Sequence, residues 1–243
     1  MRRLAATFTM VVALTLAGPA SVAQAHKPMQ VGGEAEGHSI EEAKRIEDPQ
    51  VSQVFYTELR PGSRADYWEF RGDQGEELPV QIGVPKIGRL EGFRPAAVLI
   101  GPSLPSAPEG VPAEVPEGIG AVEIGFQPGA ETEEFFEPFS RTSSWVTPEY
   151  KEPFPASGEY YVAVYDPEGE GGKYWLVVGG EERFGPRDWL GLPVTLWNVR
   201  RFHEVSLWPD LTTLAVTVLA ASLAAFVVYK TLVARKRRSI DKT

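Results

Sequence analysis

Between residues 51 and 180, apolar and polar positions follow one another with a period of two. Leu78, Val80, Ile82 and Val84 are separated by Pro79, Gln81 and Gly83, and Val122, Ile124 and Phe126 repeat the pattern. Such alternation gives a strand one apolar and one solvated face. Residues 160–165 and 174–178 are apolar at nearly every position, the pattern of strands covered on both faces. Further β-rich runs lie at 51–59, 66–71, 96–100, 134–139 and 143–147. Turn residues separate them: Pro61-Gly62, Gly72-Asp73-Gln74-Gly75, Gly101-Pro102 and Pro128-Gly129. About eight or nine short strands punctuated in this way predict an all-β fold, a jelly-roll-like β-sandwich over 51–180, rather than a barrel or an α/β domain.

The flanking segments break the pattern. Residues 26–50 open as a Gly-rich polar stretch and read as an N-terminal arm. Pro102, Pro105, Pro108, Pro112 and Pro116 exclude a central strand from 102–120, which reads as a long loop. The connector 181–210 contains Pro193, suited to the first turn of a helix. A short juxtamembrane helix is predicted from there to about Val205, resting on a bilayer or packing under the strands. Residues 211–229 are 19 positions without a charge. As a helix they are roughly 28 Å long, close to the hydrocarbon thickness of a membrane. Trp208 and Tyr229 flank the run, and Lys230, Arg235, Lys236, Arg237 and Arg238 follow it. Basic residues stay on the cytoplasmic side, so 211–229 is expected to be one transmembrane helix in the cell membrane. The segment 230–243 is then a cytoplasmic tail, and the preceding domain lies outside. Residues 1–25 fit that topology as an export signal, with Arg2 and Arg3, an apolar stretch from Leu4 and the small-x-small site Ala23-Gln24-Ala25.

The 243-residue chain has no cysteine, which removes disulfides, thiol nucleophiles and Cys-ligated zinc. Its net charge of −9 is unevenly spread, since residues 26–210 hold 32 acidic and 16 basic side chains. An acidic exterior disfavours nucleic acid as a partner. The basic tail serves topology beside lipid headgroups.

Three patterns carry candidate chemistry. Cleavage after Ala25 makes His26 the terminal residue, whose amine and imidazole can chelate Cu(II), with His38 on the same arm as a second imidazole. Pro28, in third place, supplies no amide nitrogen to such a site. In YDPEGEGGKYW, residues 165–175, the carboxylates of Asp166, Glu168 and Glu170 are spaced to converge on Ca²⁺. The EF-hand spacing is absent there, however, and Pro167, Gly169, Gly171 and Gly172 make a hairpin turn a complete account of the same residues. Trp68, Trp145, Tyr161 and Trp175 are candidates for an aromatic binding face, with core packing the competing use of those rings. No GxSxG, HExxH or phosphate-loop motif occurs. Acidic pairs such as Glu76-Glu77 and Glu133-Glu134 leave a carboxylate hydrolase as a third reading. His26, His38 and His203 all fall outside the predicted strands, so no Ser–His–Asp site is expected within the sandwich.

Two stretches go further. ELRPGSRADYWEFRGDQGEELPVQIGVP (58–85) and PASGEYYVAVYDPEGEGGKYWLVVG (155–179) resemble the bacterial pre-peptidase C-terminal domain, a small jelly-roll module of secreted proteins. The likeness implies a β-sandwich with an accessory, non-catalytic role. No cofactor is expected. This sequence departs from the usual arrangement in carrying no protease, a Pro-rich loop and a membrane anchor. The chain is accordingly expected to be an exported, membrane-anchored adaptor that presents a surface to a protein partner or an envelope polymer. A metal-binding envelope protein, holding copper or calcium, is the alternative. Thr217, Ala221 and Ala225 form a small-residue stripe along the span that admits a homodimer.

Overall fold

The computed structural model describes residues 26–34, 37–127 and 132–206, with scattered positions between 212 and 230. The chain forms two compact units, Met1–His203 and Glu204–Thr243. Among the described residues the first unit, the head, contains every strand. These are β1 (Lys27–Glu34), β2 (Lys44–Arg45), β3 (Gln53–Leu59), β4 (Asp66–Gly72), β5 (Val80–Pro85), β6 (Ala96–Gly101), β7 (Gly120–Glu123), β8 (Glu133–Glu137), β9 (Thr142–Val146), β10 (Gly158–Tyr165) and β11 (Gly172–Val178). The α-helix α1 (Pro186–Phe202) closes the unit.

The strands make two mixed sheets, in the orders β1-β3-β11-β5-β9-β8 and β2-β4-β10-β6-β7. Pairing is antiparallel except where β1 joins β3 and β2 joins β4. The largest apolar cluster draws on both sheets: Phe55, Ile82, Tyr174 and Leu176 from the six-stranded one, Trp68, Phe70, Leu99 and Val162 from the five-stranded one. Trp68 is fully buried, with its ring 4.8 Å from that of Phe55.

The doubly apolar strands are explained by what covers their second faces. On β10, Tyr160, Val162 and Val164 enter the shared core, while Ala163 and Tyr165 join Tyr67, Val98 and Ile100 in a second cluster. That cluster is covered by the Pro-rich loop, through Ala107, Val111, Val115 and Ile119. The hydroxyl of Tyr67 accepts the Glu114 N–H at 2.6 Å. On β11, Trp175 and Val177 face the side on which α1 packs.

Strands β3 to β11 overlap the predicted β-rich runs, β7 only at Val122 and Glu123. Within the N-terminal arm, β1 runs along β3, held by backbone pairing that carries no apolar signature. Two expectations are corrected. The loop 166–171 does not close a hairpin, because β10 and β11 belong to different sheets. It is a connection between sheets, and each strand pairs with others. The helix starts at Pro186, seven residues before Pro193, which lies inside it. Pro186 fits the first turn, and the Asp188 carboxylate accepts the Gly185 N–H at 2.8 Å, a stronger start signal than Pro193.

The export signal 1–25 and most of 211–229 lie outside the described residues; the described positions in the latter run are helical. Among the described residues no helix is long and apolar enough to cross a membrane.

Candidate functional site

Helix α1 crosses the outer face of the six-stranded sheet and is pinned at its C-terminal end. Val199 and Phe202 are buried, and the Phe202 ring meets Tyr56 edge-on at 5.4 Å. Lys173 Nζ donates to the Phe202 carbonyl at 3.1 Å, and Arg200 donates to the Ser140 carbonyl at 3.2 Å. Cations at a helix C-terminus complement its dipole. At the other end the Asp188 carboxylate meets Lys27 Nζ of β1 at 3.0 Å. Its bond from the Gly185 N–H, then Lys27, hold this carboxyl below the usual range.

The last anchor is a buried polar chain. Trp175 Nε1 donates to Ser144 Oγ at 2.9 Å, Ser144 Oγ lies 3.2 Å from His203 Nε2, and His203 Nδ1 lies 2.9 Å from the Val199 carbonyl. An indole only donates and a carbonyl only accepts. Burial keeps the imidazole neutral, so its one proton sits on Nδ1 facing the carbonyl and the serine proton goes to Nε2. Burial pushes the His203 pKa down to about 4. The Ser144–His203 contact has the form of a nucleophile and its base, but the imidazole is oriented by a carbonyl and not by a carboxylate, and the serine oxygen is taken up by the indole. Replacing Ser144 with alanine strands both a buried N–H and a buried nitrogen. It is expected to cost about 2–3 kcal/mol, read as a lower urea midpoint at unchanged slope.

Between these anchors, helix and sheet enclose a cleft of about 300 Å³. Its sheet side is Val54, Tyr56, Trp175 and Val177, and its helix side Trp189, Leu192 and Leu196. Phe135 of β8 and the neighbouring Phe139 form one rim; His26, Glu137 and Asp188 supply the polar edge. Burial lowers the His26 pKa and raises those of Tyr56 and Glu137, in each case by disfavouring the charged form. Trp175 lies against Gly83 of β5, where a Cβ would stand 2.1 Å from the indole. Glycine there lets the ring lie flat as the floor of the cleft. β8 is the edge of its sheet, and Phe136 and Phe139 are 57% and 56% exposed.

The residues singled out by sequence are scattered. His26 Nδ1 lies 2.6 Å from Ser52 Oγ, whereas His38 Nδ1 lies 3.3 Å from Asp66 Oδ1, so the two imidazoles have different partners. Among the described residues no group of three or more His, Asp or Glu side chains is gathered for a metal. Asp166 spends both oxygens on its own loop, accepting from the Glu168 N–H at 3.1 Å and the Gly171 N–H at 2.9 Å. Gly169 and Gly171 take positive φ there. Glu168 and Glu170 join Arg94 and Tyr165 around a second cleft of about 440 Å³. Of the aromatic candidates, Trp68, Trp145 and Trp175 are buried and Tyr161 is half-buried. Trp68 is core, Trp145 is covered by the Arg94 guanidinium at 4.3 Å, and only Trp175 borders the apolar cleft. A carboxyl pair does form, Glu69 with Glu159, where the shared hydrogen bond raises the Glu69 pKa; neither acid lines either of these two clefts.

No family model matches this chain, and no curated protein matches its sequence.

Sequence reading missed Phe135, Phe139, Ser144, His203 and Trp189. The signal available was an apolar pair in an acidic run, EEFFE, which a solvated edge strand does not need.

Proposed function

We propose that the chain is an exported, single-pass membrane protein, anchored by 211–229. Its head, a jelly-roll-like β-sandwich of the pre-peptidase C-terminal type, acts as a non-catalytic binding module. The partner is a protein that lays an extended segment along β8 and places an apolar side chain in the cleft under α1. One apolar core drawn from both sheets supports the sandwich. The observation that carries the binding role is the apolar cleft beside an edge strand that displays phenylalanine to solvent. A free strand edge offers main-chain hydrogen bonds, and an adjacent pocket offers side-chain selection, the two components of β-augmentation.

Filling the cleft tests this reading. Thr195→Trp places an indole in the space between helix and sheet. The partner cross-linked at Phe139 in the native chain is expected to be lost, with head stability changed by no more than about 1 kcal/mol. Retention of that partner by the filled variant would rule the cleft out as its site.

A further inference from the structure

The outward face of α1 has its own pattern. Arg187, Leu190, Val194, Trp197 and Arg201 follow one another at three- and four-residue intervals and are exposed. Leu190 is 83% and Val194 66% exposed, and Trp189 beside them 61%. One exposed leucine is ordinary. An apolar stripe on the solvent side of a helix whose other side already packs on a sheet is a face without a cover.

We propose that this stripe is a seat on the surface of an anionic lipid bilayer. The inference rests on the reading of 211–229 as a membrane anchor. Only eight residues, 203–210, separate the end of α1 from that run, so the stripe is tethered close to wherever the run inserts. Charge points the same way. The exterior segment has twice as many acids as bases, yet the stripe ends in arginine on both sides. Asp188, the one acid of α1, is engaged by Lys27 and by the Gly185 N–H. Arginine at a lipid surface meets anionic headgroups, and tryptophan settles at the headgroup level. A helix lying flat, with its sheet above and lipid below, covers both of its apolar sides.

The absence of cysteine makes the test direct, since any introduced thiol is unique. Full-length chains carrying Leu190→Cys or Val194→Cys, and a control carrying Glu109→Cys in the Pro-rich loop, are labelled with a fluorophore. They are then reconstituted into phosphatidylcholine vesicles with or without phosphatidylglycerol, and quenching by a lipid-borne nitroxide is read. The labels at 190 and 194 are expected to be quenched several-fold more than the control, most strongly with phosphatidylglycerol. Adding Arg187→Glu and Arg201→Glu is expected to remove that dependence on phosphatidylglycerol. Equal quenching at all three sites, in chains that survive alkaline extraction, overturns the surface seat and leaves the anchor standing. Chains stripped from the vesicles by alkali overturn the anchor, and the tether argument with it. Labels at 190 and 194 already shielded in lipid-free amphipol would assign the stripe to a second copy of the chain and overturn the lipid seat.

Discussion

Truncating Trp68 to alanine is expected to remove about 4 kcal/mol from the stability of the head, a large share of the roughly 5–15 kcal/mol by which a domain is stable. The side chain is fully buried on β4, in the five-stranded sheet. Its ring packs on Phe55 of β3, and its Nε1 donates to the Tyr174 hydroxyl of β11 at 3.2 Å, both in the six-stranded sheet. One residue therefore ties the two sheets by packing and by a hydrogen bond. Alanine leaves a cavity whose walls belong to different sheets, and they cannot close it without moving relative to one another. Trp68→Phe separates the two contributions. It keeps most of the packing and removes only a donor from Tyr174, whose hydroxyl still donates to Asp66 Oδ2 at 3.0 Å. Its cost is expected near 1–2 kcal/mol, measured as a shift in urea midpoint at constant slope. An alanine variant within about 1 kcal/mol of the native chain would mean that the sheets do not depend on this contact.

The alternation along β5 was legible because burial on one face leaves a period of two in the side chains. The same rule marked β10 and β11 as covered twice, although what covers them came from segments with no strand pattern, the Pro-rich loop and α1. β1 was illegible for a physical reason. An edge strand joined by backbone hydrogen bonds needs no apolar face, and its Gly32-Gly33 pair removes what signal remained. The turn chemistry of 166–171 was legible in Asp166 and its glycines, but its destination was not. Whether a tight loop returns to the same sheet or crosses to the next depends on which strands its neighbours find, a long-range fact.

The candidate site was less legible than the fold. Ser144, Trp175 and His203 lie up to 59 positions apart, and each has an ordinary local reading. The six-stranded sheet brings Trp175 to Ser144, and the packing of α1 adds His203. The cleft exists because the C-terminal turns of the helix are pinned, while Leu192 and Leu196 stand over a floor set by the flat Trp175 on Gly83. No single residue announces such a space.

Between about pH 4 and 6.5 the native head is expected to show a nearly level stability profile that single substitutions tilt in opposite directions. The pKa of His203 falls from 6.5 in the unfolded chain to about 4 in the folded one, because burial opposes its charge. The unfolded chain then takes up the proton first. This contribution is fully present above about pH 6.5 and is lost as pH falls towards 4. Asp66 behaves in the reverse sense. Burial pushes its pKa from 3.8 to about 6, against the bond from Tyr174 and the nearby His38. Its contribution is fully present below about pH 3.8 and is lost as pH rises through about 6. Each contribution is about 3 kcal/mol, and over the shared window they offset. The lowered pKa of His26 adds to the His203 side, and the raised pKa of Glu137 to the Asp66 side. Asp66→Asn removes the second slope, and stability should then fall by about 2–3 kcal/mol as the solution is acidified from pH 6.5 to 4. His203→Gln removes the first, and stability should fall as pH rises across the same range. Urea midpoints at half-unit intervals of pH resolve both slopes. An Asp66→Asn profile as level as the native one would take His203 out of the balance, and with it the acid-labile link between α1 and the sheet.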